Sequence, residues 1–335
     1  MNTIPLHQLP DEAFSHVLRS MEVHEQLAYS LCSKNAKKAI KSLNLRATFI
    51  SMKFSANIAV EISFGNSQYI RFTLNDDHFP NNQIIACEDM KVHVGRSIRN
   101  QEQRSWNLKN FEFKKWIHHF FEVLHYPRID DLAFSRRSID DNFIEHVKKI
   151  IEGLQIRSLS LCPDLTNDFV KKALESFPNY EELFLGRIPF GRTKLNKVLA
   201  QNTKLLCIAE AEGLEIDQML LTNSEKIKLF SSTFTEKDFN RFLKLWIGGS
   251  NPRLKNFFTW IQLGNNSLDK SVILKGIQHN VIPLDSKEVY RDYVTDNYYC
   301  NETKLAGGSR IQRFDGTTAV IVVDEQENRF EFIVE

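Results

Sequence analysis

The sequence predicts a mixed α+β and α/β chain with three parts: three short N-terminal helices, a small antiparallel meander, and an imperfect βα solenoid closed by a C-terminal β-hairpin. Three observations predict it. Apolar residues recur at helical spacing as far as Leu43, alternate with polar ones from Ile50 to Leu74, and thereafter fall into short strands separated by amphipathic helices. Residues 1–45 are thus expected to form one helical module and residues 46–335 a second region. The latter divides into a β part with loops (46–104), βα repeats (105–265) and C-terminal loops with the hairpin (266–335).

The first helix is expected to begin between Leu9 and Asp11. Pro10 suits the first turn, where its missing N–H is no loss, and Asp11 and Glu12 complement the positive end of the helix dipole. Phe14, Val17, Leu18 and Met21 then form one apolar stripe, followed by Leu27, Ala28 and Leu31, and by Ala36, Ala39, Ile40 and Leu43. Helices this short bury too little alone, so they must pack on one another and on a partner.

Residues 48–74 change to period two and read as a three-stranded meander with a turn at Gly65-Asn66-Ser67. Residues 75–88 read as a loop, Lys91 to Gly95 as a short strand, and Arg96 to Arg104 as another loop. Phe113, Trp116, Ile117, Phe120, Phe121 and Leu124 mark the strongest amphipathic helix. Strand centres follow at Leu132, Leu159, Leu183, Leu206, Lys228 and Phe258, roughly 22 to 30 residues apart, close to the period of a leucine-rich repeat. Helices between them are marked by Phe143, Val147 and Ile150, by Val170, Ala173 and Phe177, by Leu195, Val198 and Leu199, and by Phe239, Phe242 and Trp246. Strands joined by single helices require right-handed parallel crossovers, and at this period they stack as an open solenoid. Thr317 to Val323 and Arg329 to Val334 flank a polar turn and form a hairpin.

Composition narrows the function. The 335 residues are 42% hydrophobic and 25% charged with a formal net charge of +1, which is globular and gives no field to draw nucleic acid or an anionic membrane. No apolar leader or membrane-length apolar run is present. Cys32, Cys87, Cys162, Cys207 and Cys300 are odd in number and widely spaced, which fits plain thiols in a reducing compartment, cytoplasmic and/or nuclear. The sequons at Asn265 and Asn301 are then chance matches. His118, His119 and His125 lack the spacing of a metal site, since neighbours on a helix point about 100° apart. Gly307-Gly308-Ser309-Arg310 lacks a phosphate-loop frame and reads as a flexible loop. No cysteine stands out as a nucleophile. No catalytic residue, metal or cofactor is expected.

The pair Leu9-Pro10, the pair Val17-Leu18 and the run Leu27-Ala28-Tyr29-Ser30-Leu31-Cys32-Ser33-Lys34 together resemble an F-box, the helical module that joins a substrate receptor to a cullin-type ubiquitin ligase. The departure lies at Asn35 to Lys38, where many members carry an aromatic and then a basic residue and this chain has Ala36 and Lys37. Residues 46–335 resemble the nematode-expanded F-box-associated domain of the second type, through Trp246-Ile247-Gly248-Gly249 and Asp315-Gly316-Thr317-Thr318-Ala319-Val320-Ile321. The resemblance implies a non-catalytic substrate-recognition subunit of a Skp–cullin–F-box ligase, which would act by holding its target close to the transfer chemistry. Its partners would be a Skp-family adaptor, a cullin through that adaptor, and a protein target. Leu9, Pro10, Val17, Leu18, Leu27, Leu31 and Lys34 match the adaptor-contacting positions, though several must also fill the helical core. The other reading is a repeat-type protein-binding module with no ubiquitin role. Strand alternation predicts the target-binding face: with Leu159, Leu161, Leu183, Leu185, Ile227 and Leu229 inward, Ser158, Ser160, Glu182, Phe184, Lys228 and Phe230 face out.

Overall fold

The computed structural model describes residues 6–55, 57–65, 68–75, 90–97, 100–106, 112–135, 141–188, 191–262, 267–283 and 307–335. Most of the loop read at 75–88, the Gly65-Asn66-Ser67 turn beyond Gly65, the sequon asparagines Asn265 and Asn301, Cys87 and Cys300 lie outside them. The chain divides into two compact units, Met1–Tyr180 and Glu181–Glu335. The N-terminal helices fall in the same unit as the first seven strands.

The first unit begins with a 3-10 turn at Leu6–Gln8 and helices α1 (Asp11–Ser20), α2 (Val23–Ser30) and α3 (Lys34–Ser42). Strands β1 (Ala47–Phe54), β2 (Asn57–Phe64), β3 (Tyr69–Asn75), β4 (Met90–Ser97) and β5 (Asn100–Trp106) precede α4 (Phe113–Val123). Then come β6 (Arg128–Phe134), α5 (Asp141–Ile150), β7 (Gln155–Leu161) and α6 (Asn167–Ser176). Its sheet runs in the order β7-β6-β1-β2-β3-β4-β5, antiparallel from β1 to β5 and parallel across β1, β6 and β7. The expected meander is thus present and joins the βα run directly. Strand β5 lies where a loop was read. Its polar sequence Asn-Gln-Glu-Gln-Arg-Ser carries no strand signal, and pairing with β4 supplies what propensity does not.

Alternation on β1 and β3 buries Phe54 and Phe72. Phe72 meets Trp116 and Phe120 of α4 at ring separations of 4.7 and 5.4 Å, while Phe54 stacks on Phe134 at 5.6 Å. Asp130 ties this core to the sheet. Its buried carboxylate accepts from the Ile50 backbone N–H (2.8 Å), the Tyr126 hydroxyl (2.7 Å), Arg128 Nε (3.0 Å) and Arg157 Nη1 (3.4 Å). Burying a carboxylate is tolerable only when it is answered this fully.

The second unit contains β8 (Glu182–Arg187), α7 (Arg192–Leu199), β9 (Leu205–Glu210), α8 (Ile216–Leu220), β10 (Lys226–Ser232), α9 (Glu236–Ile247) and β11 (Asn256–Ile261). It continues with α10 (Lys270–Ile273), β12 (Asn280–Ile282), β13 (Gly308–Gln312), β14 (Thr318–Asp324) and β15 (Arg329–Val334). Strand order is β8-β9-β10-β11-β15-β14-β13-β12, parallel from β8 to β11 and antiparallel thereafter. The C-terminal hairpin forms as expected, but it does not close a solenoid. It continues the sheet, which remains open. Helix α8 has five residues and β12 three, too few to show a period, and both were unread. Gly307-Gly308-Ser309-Arg310, read as a loop, instead leads into β13, where its serine is buried.

Helix α9 starts at a capping box in which Thr235 and Asp238 exchange side-chain and backbone bonds of 2.9 and 3.3 Å. It lays Phe239, Phe242 and Trp246 on β11 and β15. Phe239 stacks on Phe330 at 4.2 Å, and Trp246 meets Phe332 edge-on at 5.0 Å. At the strand starts a polar ladder repeats, with Asn223 bonded to Asn202, Thr203 to Ser224 (2.6 Å), and Asn251 to the Thr222 carbonyl (2.9 Å).

Candidate functional site

Helices α1 to α3 partition the seven matched residues. Pro10, with φ −55° and ψ 148°, is the residue before α1 and not within its first turn. Extended ψ at that position leaves it outside the helix. Glu22 and Glu25 form a capping box at α2, and Ser33 Oγ accepts from the Ala36 N–H at 3.0 Å to open α3. Leu18 is 1% exposed and Leu27 is fully buried, with Ala36 and Ile40 beside them in the core. These two correct the expected contact set, because three short helices must spend their best apolar residues on one another. Leu9, Val17 and Leu31 are half-buried, and Pro10 and Lys34 are exposed.

Helix α4 holds these helices through polar contacts that the sequence did not announce. Ser30 Oγ lies 2.8 Å from His119 Nε2, Glu122 receives Lys37 at 2.6 Å and Lys41 at 3.0 Å, and His125 Nε2 reaches the Lys41 carbonyl at 3.1 Å. His118 points instead to the Ile150 carbonyl. The three histidines therefore converge on no common point. Burial first, and Lys37 second, lower the His119 pKa from 6.5 to about 4. Hydrogen bonds from Lys37 and Lys41 lower that of Glu122 from 4.5 to about 2.

Both shifts have the same sign in stability. Between about pH 6.5 and 4 the unfolded chain binds a proton at His119 that the folded one refuses, so stability should fall as pH drops through that window. Glu122 adds a further loss between about pH 4.5 and 2. Denaturation midpoints taken from about pH 7 down to 4 should decline, and His119→Phe should flatten the decline. Equal slopes in both proteins would rule out His119 as the cause.

On the sheet face turned from the helices, Ser158, Glu182 and Lys228 are 3%, 5% and 9% exposed. Their expected outward exposure is therefore corrected. Lys228 lies on β10 between β9 and β11, and in a parallel sheet strands less than about 5 Å away on each side shield stems even where no helix covers them. Ser160 is half-buried and donates to Asp131 at 2.7 Å, and burial raises the Asp131 pKa. Phe184 and Phe230 are half-buried. Phe230 belongs to an aromatic group with Phe258 (5.9 Å) and Trp260 (5.2 Å), and Trp260 is 41% exposed. The sequence reading missed Phe258 and Trp260, although period two placed them opposite the buried Phe257 and Thr259. A register shift between Leu229 and Ser232, with Ser231 at φ +53°, sits at this group and re-aims the end of β10.

In the second unit the first signature motif meets the two residues just before the second. Arg313 donates to the Gly249 carbonyl and lies 5.5 Å over Trp246 and 5.9 Å over Phe314, while the Phe314 N–H donates to the Ile247 carbonyl at 3.2 Å. Gly249 has φ +108°, and a Cβ there would come 2.8 Å from the Phe314 ring, so only glycine fits. Burial raises the Cys162 thiol pKa, Cys207 is buried and Cys32 is exposed.

Comparison with known proteins adds to this geometry. Residues 6–48 match the F-box domain, and residues 194–258 match the family described as F-box associated. The chain is 24% identical over 260 residues to the F-box associated domain-containing protein sdz-33 of Caenorhabditis elegans, covering 76% of this chain and 77% of that one. No solved structure gives a significant match. The chain carries an F-box domain at its start and, after it, an F-box associated domain of the second type.

Proposed function

We propose that the protein is a substrate-recognition subunit of a Skp–cullin–F-box ubiquitin ligase, working in the cytoplasm or nucleus without a catalytic residue of its own. The observation that carries this is the F-box match over residues 6–48, on helices whose core is complete while Leu9, Pro10, Val17, Leu31 and Lys34 remain at the surface. Those five would meet a Skp-family adaptor. The second unit would present the target, and we read its βα run as leucine-rich-repeat-like on the strength of four parallel strands and the ladder at their starts. The aromatic group of Phe230, Phe258 and Trp260, together with Phe184, is the target-facing candidate there, since half-exposed aromatics ringed by polar residues have the character of interface anchors.

Co-purification with a Skp-family adaptor tests the reading. The wild-type chain should capture the adaptor, and Leu9→Ala with Pro10→Ala should weaken capture at least about tenfold, the cost of losing one interface anchor. A double mutant that captures the adaptor as well as wild type would overturn the contact set. A wild-type chain that captures none would favour a protein-binding module without a ubiquitin role.

A further inference from the structure

Helix α4 has two unlike faces. Phe72 of the sheet packs on Trp116 and Phe120, and Phe113 is buried with them, so that side is held by apolar rings. The side met by α2 and α3 is polar: Ser30 reaches His119, Lys37 and Lys41 share Glu122, and His125 meets the Lys41 carbonyl. The N-terminal helices also have ties of their own, with Phe14 meeting Tyr29 at 6.5 Å and Gln26 Nε2 donating to the Leu18 carbonyl at 2.8 Å. A polar seam between two such bodies is where a local opening is expected.

The hydrogen at this seam can be placed. The Ser30 hydroxyl has one hydrogen, and the Leu27 carbonyl takes it at 2.7 Å. Towards His119, 2.8 Å away, the oxygen therefore accepts, and Nε2 of the neutral ring carries the hydrogen. Acid adds the second proton at Nδ1 and leaves this bond in place. The cost is charge. Two lysines and one carboxylate, Lys37, Lys41 and Glu122, already sum to +1 there, and a protonated His119 raises the sum to +2 around a half-buried ring. His118 turns away to the Ile150 carbonyl, and His125 stands at the last carbonyls of α3, where a cation is favourable, so neither shares this cost.

We propose that this seam is a proton-sensitive hinge: when His119 takes up a proton, α2 and α3 release α4, while α4 and the sheet stay folded. The hinge is built from contacts within the chain and does not depend on the adaptor reading. Under that reading it sets how firmly the adaptor is held to the rest of the chain, which a proximity effect requires. Burial first, and Lys37 second, hold the docked ring at a pKa of about 4, and release returns it toward 6.5. The docked state therefore loses ground as pH falls below about 6.5, and the opening equilibrium should rise at least about tenfold between pH 7 and pH 5.

The test is hydrogen exchange of the full-length chain, read by mass spectrometry at pH 7 and pH 5 and corrected for the intrinsic exchange rate. Freed from α4, helices of eight and nine residues are marginal, so amides of α2 and α3 should lose at least about tenfold in protection on acidification. Those of β1 to β3 should keep theirs. His119→Gln, which still donates to Ser30 but binds no proton, should abolish the loss. Lys37→Gln, which removes the cation nearest the ring, should shrink it. Equal loss in helices and strands would mean global acid unfolding and overturn the hinge, as would unchanged helices at pH 5 or a His119→Gln protein that responds like wild type. Should His119→Gln fail to fold, Lys37→Gln decides alone, and a loss equal to that of wild type overturns the proposal.

Discussion

Phe257→Ala is expected to lower the stability of the second unit by about 3 to 5 kcal/mol, at the upper end of what a core truncation costs. Phe257 is fully buried on β11, and its ring lies 5.4 Å from Phe242, 5.7 Å from Phe330, 6.4 Å from Phe239 and 6.5 Å from Phe234. One truncation therefore withdraws a common neighbour from α9, from β15 and from the start of the α9 segment. These elements come from distant parts of the chain and cannot all move inward to fill the space, so most of the cavity should persist. Urea titration checks this: the midpoint should fall with little change in slope. A loss below about 1 kcal/mol would mean that the aromatic layer repacks freely.

Asp130→Ala should cost the first unit about 3 kcal/mol or more, the range found when one partner of a buried charge pair is removed. The mutation would leave the Ile50 N–H without its acceptor and strip Arg157, whose side chain is 15% exposed, of its carboxylate. Asp130→Asn keeps an acceptor oxygen and should cost less. Near-equal stability of the alanine and asparagine proteins would show that the contacts around Asp130 are replaceable by water.

Much of the fold was legible because it is local. Phe14, Val17 and Leu18 announce a helix face, Ile58 to Phe64 announce a strand, and Phe239, Phe242 and Trp246 announce a stripe, each within one or two turns of chain. What was illegible is pairing across distance. Nothing in Arg329 to Val334 says that this strand lies between β11 and β14, and nothing in Asn100 to Ser105 says that so polar a run will find β4. The site follows the same division. Period two assigned Phe184 and Phe230 to their face and would have assigned Trp260. Glu122 and the burial of Lys228 depend on which helix or strand stands alongside, and that is a tertiary fact.

The position of β15 also sets a timetable. Strand β11 ends at Ile261 and its partner β15 begins at Arg329, so on the ribosome 68 residues (329 − 261) separate the emergence of one from that of the other. At usual synthesis rates this is a wait of roughly 3 to 14 seconds. Throughout it, the βα elements that have already formed end in an unpaired β11, with Phe257 and Phe242 lacking Phe330 and Phe332. The nascent chain must carry that open edge until β15 arrives, which makes β11 the natural point for a chaperone to grip and the first place for stalled molecules to pair with one another.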